Sequence, residues 1–187
     1  MTVEQYLASE RDADARHEHV NGETFAMAGG TPRHSAVCAN VIIALGTALR
    51  GGPCRAYDSN LRVHVPETGL YTYPDASVLC GEAKVLGGDR LTVTNPKVLV
   101  EVLSDGTESY DRGARFRHYQ ALTSLEDILL VGSDEKRVQH FRRLPTSQWL
   151  LTTYEGLSAG EQIELESVSA RFAFDDVYAQ LEGVPTS

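Results

Sequence analysis

Cysteines are few in this sequence of 187 residues, and long apolar runs are absent. No stretch approaches the roughly 18 apolar residues that a membrane-spanning helix needs, so we expect no contact with a membrane. The first residues lack the basic and apolar segments of a signal peptide. The scattered cysteines Cys38, Cys54 and Cys80 predict buried free thiols and show no zinc-site spacing with histidine. Together these absences predict a cytoplasmic protein.

Several catalytic signatures are also missing from the chain. It has no glycine-rich phosphate loop, no Gly-x-Ser-x-Gly elbow and no dinucleotide-binding fingerprint, which argues against those enzyme classes. A net charge of −9 argues against a protein that coats nucleic acid non-specifically. The same charge is compatible with an enzyme that has a local basic groove, and it fits a site that gathers metal ions.

The apolar patterns that are present predict one α+β domain covering residues 1–187. A capping box predicts a helix at residues 2–9, and Asn21-Gly22 predicts a hairpin within residues 16–27. Helical spacing marks residues 34–50 and 110–122. The pattern also predicts a mobile polar connection at residues 81–95, a loop at 104–108 and a closing helix at 172–181. Strands are predicted at residues 54–57, 61–65, 75–80, 98–103, 127–131, 137–143, 148–154 and 163–165.

Glu101 lies within the apolar strand Val98-Leu-Val-Glu-Val-Leu. Strand alternation places it on the same face as Leu99 and Leu103. A bare carboxylate there would cost several kcal/mol unless it is protonated, paired or bound to a cation. A salt bridge, a neutral acid, a solvent-reaching strand end and a metal ligand all remain open for Glu101 alone.

Asp75 begins another apolar strand, directly after Pro74. Alone it is equally compatible with a turn or capping aspartate. If its strand neighbours that of Glu101, the two carboxylates can share one ion. Carboxylate oxygens suit Mg²⁺ or Mn²⁺, so the pair predicts a divalent-metal site.

A basic helical segment follows Glu101 in the chain. Arg115 lies four residues before Tyr119 and therefore at the edge of the face that packs inward, with Arg112 about one turn earlier. Its charge could meet the charge that develops on a phosphate during hydrolysis. A local ion pair of Arg115 with Asp111 or Glu108 is the alternative.

Five motifs share their order with one nuclease family. They are Arg16-His-Glu18-His-Val-Asn-Gly-Glu23, Gly30-Thr-Pro-Arg-His34, Tyr73-Pro-Asp75, Val100-Glu101-Val-Leu-Ser104 and Asp111-Arg-Gly-Ala-Arg115-Phe. With them the chain resembles the Uma-type family of "putative restriction endonucleases" in the PD-(D/E)XK nuclease superfamily. The resemblance implies a restriction-endonuclease-like fold, with a central mixed β-sheet flanked by helices, an N-terminal β-hairpin and additional C-terminal strands.

The resemblance also implies roles for individual residues. Asp75 and Glu101 match the metal-binding acids of a Mg²⁺- or Mn²⁺-dependent endonuclease that acts on DNA, and a homodimer would cut both strands of a duplex. His34, Glu18, Glu23 and Arg112 would support this site. Arg115 stands where the family carries a lysine. Because arginine in effect cannot lose a proton, Arg115 could hold charge against phosphate but could not act as a base.

Three hypotheses follow from these residues. The first is the metal-dependent endonuclease, and the second is a catalytically degenerate member that binds nucleic acid or a protein partner. The third is an unrelated hydrolase that uses Asp75 and Glu101 as general acid and base without a metal.

Overall fold

The computed structural model of the protein describes residues 1–27, 29–104, 106 and 108–186. The helices are α1 (Val3–Arg11), α2 (Pro32–Ala48), α3 (Glu108–Tyr110), α4 (Phe116–Ala121) and α5 (Phe174–Val177), with a π-helical turn at Asp111–Arg115 between α3 and α4. The strands are β1 (His17–Val20), β2 (Glu23–Ala26), β3 (Cys54–Asp58), β4 (Arg62–Val65), β5 (Leu70–Thr72), β6 (Ala76–Cys80), β7 (Val85–Leu86), β8 (Asp89–Val93), β9 (Val98–Leu103), β10 (Asp127–Gly132), β11 (Val138–Arg143), β12 (Trp149–Tyr154), β13 (Gln162–Leu165) and β14 (Ala170–Ala173).

The central sheet has the strand order β12-β11-β10-β9-β6-β3. Strands β9 and β10 run parallel, and the other neighbouring pairs are antiparallel. A second sheet, with the order β2-β1-β5-β4-β8-β7, contains the predicted N-terminal hairpin. Asn21 and Gly22 have φ of 53° and 82°, as a type I′ turn requires, so the local sequence accounts for this hairpin.

Two hydrophobic cores lie on opposite faces of β9. Val98, Val100 and Val102 pack into a core with α2, β13, β14 and α5. Leu99 and Leu103 pack into the other core, against the second sheet and α4. Strand β9 is therefore buried on both sides, as its continuous apolar pattern predicts. Glu101 is the residue that interrupts the second face.

The capping box at Thr2 and Gln5 is present, and α1 extends to Arg11. Two other predictions were wrong. Residues 81–95 are not simply a connection, because β7 and β8 form there and β8 pairs in parallel with β4. The closing helix is confined to Phe174–Val177, because the residues before it form β14 opposite β13. The predicted loop at residues 104–108 lies partly outside the described residues.

The prediction of three free thiols was also wrong. Cys54 and Cys80 face each other across the antiparallel pair β3–β6 and form a disulfide. Sequence separation gives no sign of this, because the pairing register of two distant strands brings the thiols together. Cys38 is a free thiol and is half-buried. The cysteine-based argument for a cytoplasmic location therefore loses its basis, and that location stays a prediction. Among the described helices, none is long and apolar enough to span a bilayer.

Candidate active site

A cleft of about 620 Å³ opens between the N-terminal hairpin, the start of α2, the adjoining ends of β6 and β9, and the π-helical turn. Its size is that of a site for a small ligand or a short segment of a polymer. Acidic side chains dominate its charged lining. Within the described residues, the carboxylates that line it are Glu18, Glu23, Asp75, Glu101 and Asp111, and Arg115 is the arginine among them.

The sheet register brings Asp75 and Glu101 to the same end of the cleft. Ala76 pairs with Val100 across β6 and β9, so the preceding Asp75 lies beside the end of β9. Asp75 Oδ2 accepts a hydrogen bond of 2.7 Å from the Val102 backbone N–H. This bond orients the carboxylate that the sequence singles out and anchors it to the strand that carries Glu101.

Glu101 is 3% exposed. Burial raises its pKa well above the usual value, and the nearby Asp75 and Asp111 carboxylates raise it further. The Tyr119 hydroxyl donates a hydrogen bond to Glu101 Oε1, and Arg115 Nη1 lies 3.5 Å from Oε2. Burial and the neighbouring acids therefore favour the protonated carboxyl more than in a free glutamate, whereas Arg115 and the Tyr119 hydroxyl favour the charged form.

Arg115 is held among three carboxylates. Its Nη2 donates to Glu18 Oε2 at 2.9 Å, and its Nη1 donates to Asp111 Oδ1 at 2.6 Å. These bonds are in addition to the longer contact of Nη1 with Glu101. Burial alone would lower the pKa of Arg115, but these carboxylates raise it, so the guanidinium stays charged. The Nε of Arg115 is buried and has no hydrogen-bond partner among the described residues.

The π-helical turn explains how Asp111 and Arg115 both face inward. Such turns widen a helix locally and are frequent at functional sites. Both side chains are buried, and they form an ion pair four residues apart. The alternative foreseen for Arg115, a local pair with Asp111, is thus present, together with long-range contacts that join the turn to β1 and β9.

Glu18 reaches the cluster from β1. It is 2% exposed and accepts hydrogen bonds from Thr72 Oγ1, at 2.8 Å, and from the Tyr110 hydroxyl as well as from Arg115. The Arg115 guanidinium also lies over the Tyr110 ring, 4.9 Å from its centre. Glu18 is therefore fixed by the same groups that fix Arg115.

His34 lies in the first turn of α2, where Thr31 caps the helix and accepts a hydrogen bond from the His34 backbone N–H. Its Nε2 is 3.5 Å from Asp75 Oδ2, and this contact raises the pKa of His34. Its Nδ1 is 3.5 Å from Cys38 Sγ. Burial, with the Asp75 carboxylate, raises the pKa of the Cys38 thiol. A Cβ at Gly30 would collide with the His34 ring, so the glycine leaves room for the ring in this position.

The predicted site residues differ in whether they line the cleft and in how exposed they are. Asp75, Glu101, Arg115, Glu18 and His34 line one cleft. Glu23 also lines it but is exposed.

Arg112 does not belong to the described lining of the cleft. It pairs with Glu108 at 2.5 Å and donates to Gln139. Sequence reasoning missed Tyr119 as a partner of Glu101. It also missed Cys38, although the spacing of four residues from His34 on a helix was visible.

The donor set of Asp75 and Glu101 fits a hard divalent cation. Both groups offer carboxylate oxygens, which Mg²⁺ and Mn²⁺ prefer. The raised pKa of Glu101 has its cause in burial and in neighbouring anions, and a cation beside it would reverse that effect. These two residues are therefore the ones that would hold such an ion.

The architecture is a restriction-endonuclease-like α+β fold, and the cleft lies where β6 begins and β9 ends. A solved structure with the same fold is the crystal structure of a "putative nuclease belonging to DUF820" from Anabaena variabilis. It has a TM-score of 0.75 and 15% identity, over 96% of this chain and 98% of that one.

The family described as "Putative restriction endonuclease" (Uma2) matches residues 3–175, and the chain belongs to this family. An uncharacterized Synechocystis protein, slr1290, is 34% identical over 97% of this chain and 93% of its own length. A second, sll1609, is 30% identical over 85% of this chain and 90% of its own.

Proposed function

We propose that the protein is an endonuclease that hydrolyses phosphodiester bonds in duplex DNA with Mg²⁺ or Mn²⁺ held by Asp75 and Glu101. The observation that carries this proposal is the charge of the cleft: five described carboxylates line it with a single arginine. A phosphodiester is an anion and would be repelled by these groups. A divalent cation resolves the conflict, because it attracts the carboxylates and the phosphate alike.

Each residue has a distinct task in this proposal. A bound Mg²⁺ would supply Lewis-acid stabilisation of the phosphate and would help to activate the attacking water. Asp75, oriented by the Val102 N–H, and the buried Glu101 hold the ion. Arg115 keeps its positive charge in the cleft, where that charge would attract a phosphate. His34 holds Asp75 in place from the side of α2.

A second candidate function has its own support in the contacts of Arg115. The guanidinium is already neutralised by Glu18 and Asp111, which leaves little charge for a substrate. This arrangement favours a member of the family that keeps the fold and binds nucleic acid without cutting it. In that case the carboxylates and Arg115 stabilise the cleft and do not catalyse.

Cleavage of supercoiled plasmid DNA tests the first function. We expect the wild-type protein to nick or linearise the plasmid with Mg²⁺ or Mn²⁺ and to be inactive in EDTA. Asp75→Asn and Glu101→Gln should lower the rate at least about a hundredfold, because each removes a metal ligand. Glu164→Gln is the matched control, since Glu164 is exposed on β13. Full activity in EDTA would contradict the metal requirement.

Arg115→Lys separates the two candidate functions. A lysine can lose a proton when it is desolvated, and it can therefore act in proton transfer, which arginine cannot. If the wild type binds DNA without cutting it and Arg115→Lys cuts, the site is degenerate. If the wild type already cuts, the degenerate reading is wrong.

We also propose that the protein acts as a homodimer, because cleavage of both strands of a duplex needs two sites. Light scattering coupled to size-exclusion chromatography tests this directly. A single monomeric species at the concentrations that support double-strand cleavage would contradict it.

A further inference from the structure

Three potential metal ligands of unlike chemistry meet at the wall of the cleft, and two of them belong to its lining. They are His34, Cys38 and Asp75, and one ligand atom from each lies within 4.8 Å of the others. All three side chains are half-buried. We propose that they form a second cation site, selective for a zinc-type transition-metal ion, which shares Asp75 with the pair Asp75–Glu101 and differs from it in its other donors.

The helix provides two of the donors. His34 and Cys38 are four residues apart on α2, so their side chains lie one above the other on the same face. The His34 ring occupies space that a side chain at Gly30 would block, and His34 lies in the capped first turn of the helix. The imidazole and the thiol are therefore placed together before any ion arrives.

The third donor comes from the chain that enters β6. Asp75 Oδ2 is 3.5 Å from His34 Nε2, and Cys38 Sγ is 3.5 Å from His34 Nδ1. The nitrogen–oxygen separation is long for a hydrogen bond, whereas 3.5 Å is an ordinary separation when sulfur takes part. One ligand atom from each group lies within 4.8 Å of the others, whereas two ligands of a tetrahedral zinc ion with bonds of about 2.0–2.3 Å are about 3.5 Å apart, so binding requires the groups to approach by roughly 1 Å. Because the two 3.5 Å separations belong to different ring nitrogens and an imidazole binds one ion through one nitrogen, the ring must turn when the ion binds.

The chemistry of the donors sets the class of ion. A thiolate and an imidazole select zinc-type metals over Mg²⁺, which prefers oxygen ligands alone. Three protein ligands leave a fourth position for water, as in open zinc sites. Binding releases the thiol proton to solvent, and no electron is transferred. Because Asp75 belongs to both sites, a zinc-type ion here would compete with Mg²⁺ for that carboxylate.

Cobalt(II) spectroscopy tests the site without any assay of activity. Titration of the metal-free protein with Co²⁺ under nitrogen should give a thiolate-to-cobalt charge-transfer band and the strong visible bands of a tetrahedral ion. Zn²⁺ should abolish them by displacement. Cys38→Ser should remove the charge-transfer band, and His34→Gln and Asp75→Asn should weaken binding by about tenfold or more. Circular dichroism verifies that each variant is folded, and Cys38→Ala is the second variant at the key position.

Two controls make the result specific. The double variant Cys54→Ser/Cys80→Ser removes the disulfide cysteines and should keep the band. Glu101→Gln disrupts the proposed Mg²⁺ site alone and should keep it too, so failure of the nuclease proposal does not affect this test. Absence of the band in the wild type, its persistence in folded Cys38→Ser, or its loss in either control would overturn the proposal. The three groups would then form a hydrogen-bonded chain that positions Asp75.

Discussion

Two buried arginines have opposite surroundings. Arg62 in the second sheet is 1% exposed, and all its nitrogens have partners: Nε donates to Thr92 at 2.7 Å, Nη1 to Tyr73 at 3.1 Å and Nη2 to Asp89 at 2.7 Å. Arg115 in the cleft faces three carboxylates, and its Nε has no partner among the described residues.

The acids beside these arginines differ in the same way. Burial opposes ionisation of Asp89, but hydrogen bonds from Thr92 and Arg62 outweigh it and lower the pKa of Asp89. Burial dominates at Glu101 and raises its pKa. The charges of Arg62 and Asp89 therefore balance each other, whereas three carboxylates surround the single positive charge of Arg115. A closed network of this kind stabilises the fold, while an excess of acid beside a cleft is suited to binding a cation.

The largest expected effect is on the balanced network. Arg62→Met should lower the free energy of unfolding by about 4 kcal/mol, because Asp89 is left buried without its cation. Urea unfolding measures this, and the double variant Arg62→Met/Asp89→Leu should recover part of the loss. A single-variant loss below about 1 kcal/mol would show that the network is not closed to water.

Replacement of the cleft arginine by methionine should lower the free energy of unfolding by less than Arg62→Met does. Arg115→Met should cost less, about 3 kcal/mol, because the buried Glu18 keeps the hydroxyl donors Thr72 and Tyr110 when it loses the guanidinium. Millimolar Mn²⁺ should then raise the melting temperature of Arg115→Met more than that of the wild type, and should leave the deficit of Arg62→Met unchanged. An equal gain for both variants would remove the distinction between the two clusters.

The pH dependence of stability should have opposite signs at the two acids. Because the pKa of Glu101 is raised in the folded protein, the contribution of this group to folding stability is fully present below the usual value of 4.5. That contribution is lost as the pH rises through the folded pKa. In EDTA, Glu101→Gln should therefore gain stability relative to the wild type as the pH rises.

The lowered pKa of Asp89 gives the reverse. The contribution of Asp89 to folding stability is present above the usual value of 3.8. It is lost as the pH falls through the lower folded pKa. The deficit of Asp89→Asn should thus shrink under acid conditions. Thermal melts from pH 3 to 8 compare the two variants, and slopes of the same sign would contradict the contrast between the acids.

The smallest effect concerns one hydroxyl group. Tyr119→Phe removes the donor to Glu101 Oε1 and should cost about 1 kcal/mol. Because that bond lowers the pKa of Glu101, the variant should also bind Mn²⁺ more weakly at a given pH. Urea unfolding and a Mn²⁺ titration on the same preparation measure the two effects. No change in either would mean that the hydroxyl does not orient the carboxylate.

Local sequence predicted the parts of the fold whose causes are local. The capping box of α1, the Asn21-Gly22 turn and the apolar run of β9 are all present. Strand β8 was missed because residues 81–95 are polar and its stability depends on a parallel partner, β4, that lies far away in the sequence. The disulfide was missed for the same reason.

The candidate site divides in the same manner. Asp75 and Glu101 stand out because each carboxylate adjoins an apolar strand, where its burial needs an explanation. The pair Glu18–Arg115 joins residues 97 positions apart, which no periodicity reveals. The spacing of four residues between His34 and Cys38 is visible in the sequence. Their third partner, Asp75, comes from another element, so the sequence alone does not reveal the cluster.

Isothermal calorimetry of Mn²⁺ binding to the metal-free protein tests the central claim most directly. The wild type and Glu164→Gln should bind Mn²⁺ at millimolar concentrations or below. Glu101→Gln, which keeps the shape of the side chain and removes its charge, should abolish that binding, and Asp75→Asn should do the same. Failure of the wild type to bind, or unchanged binding by Glu101→Gln, would contradict the assignment of these two carboxylates to a divalent-metal site.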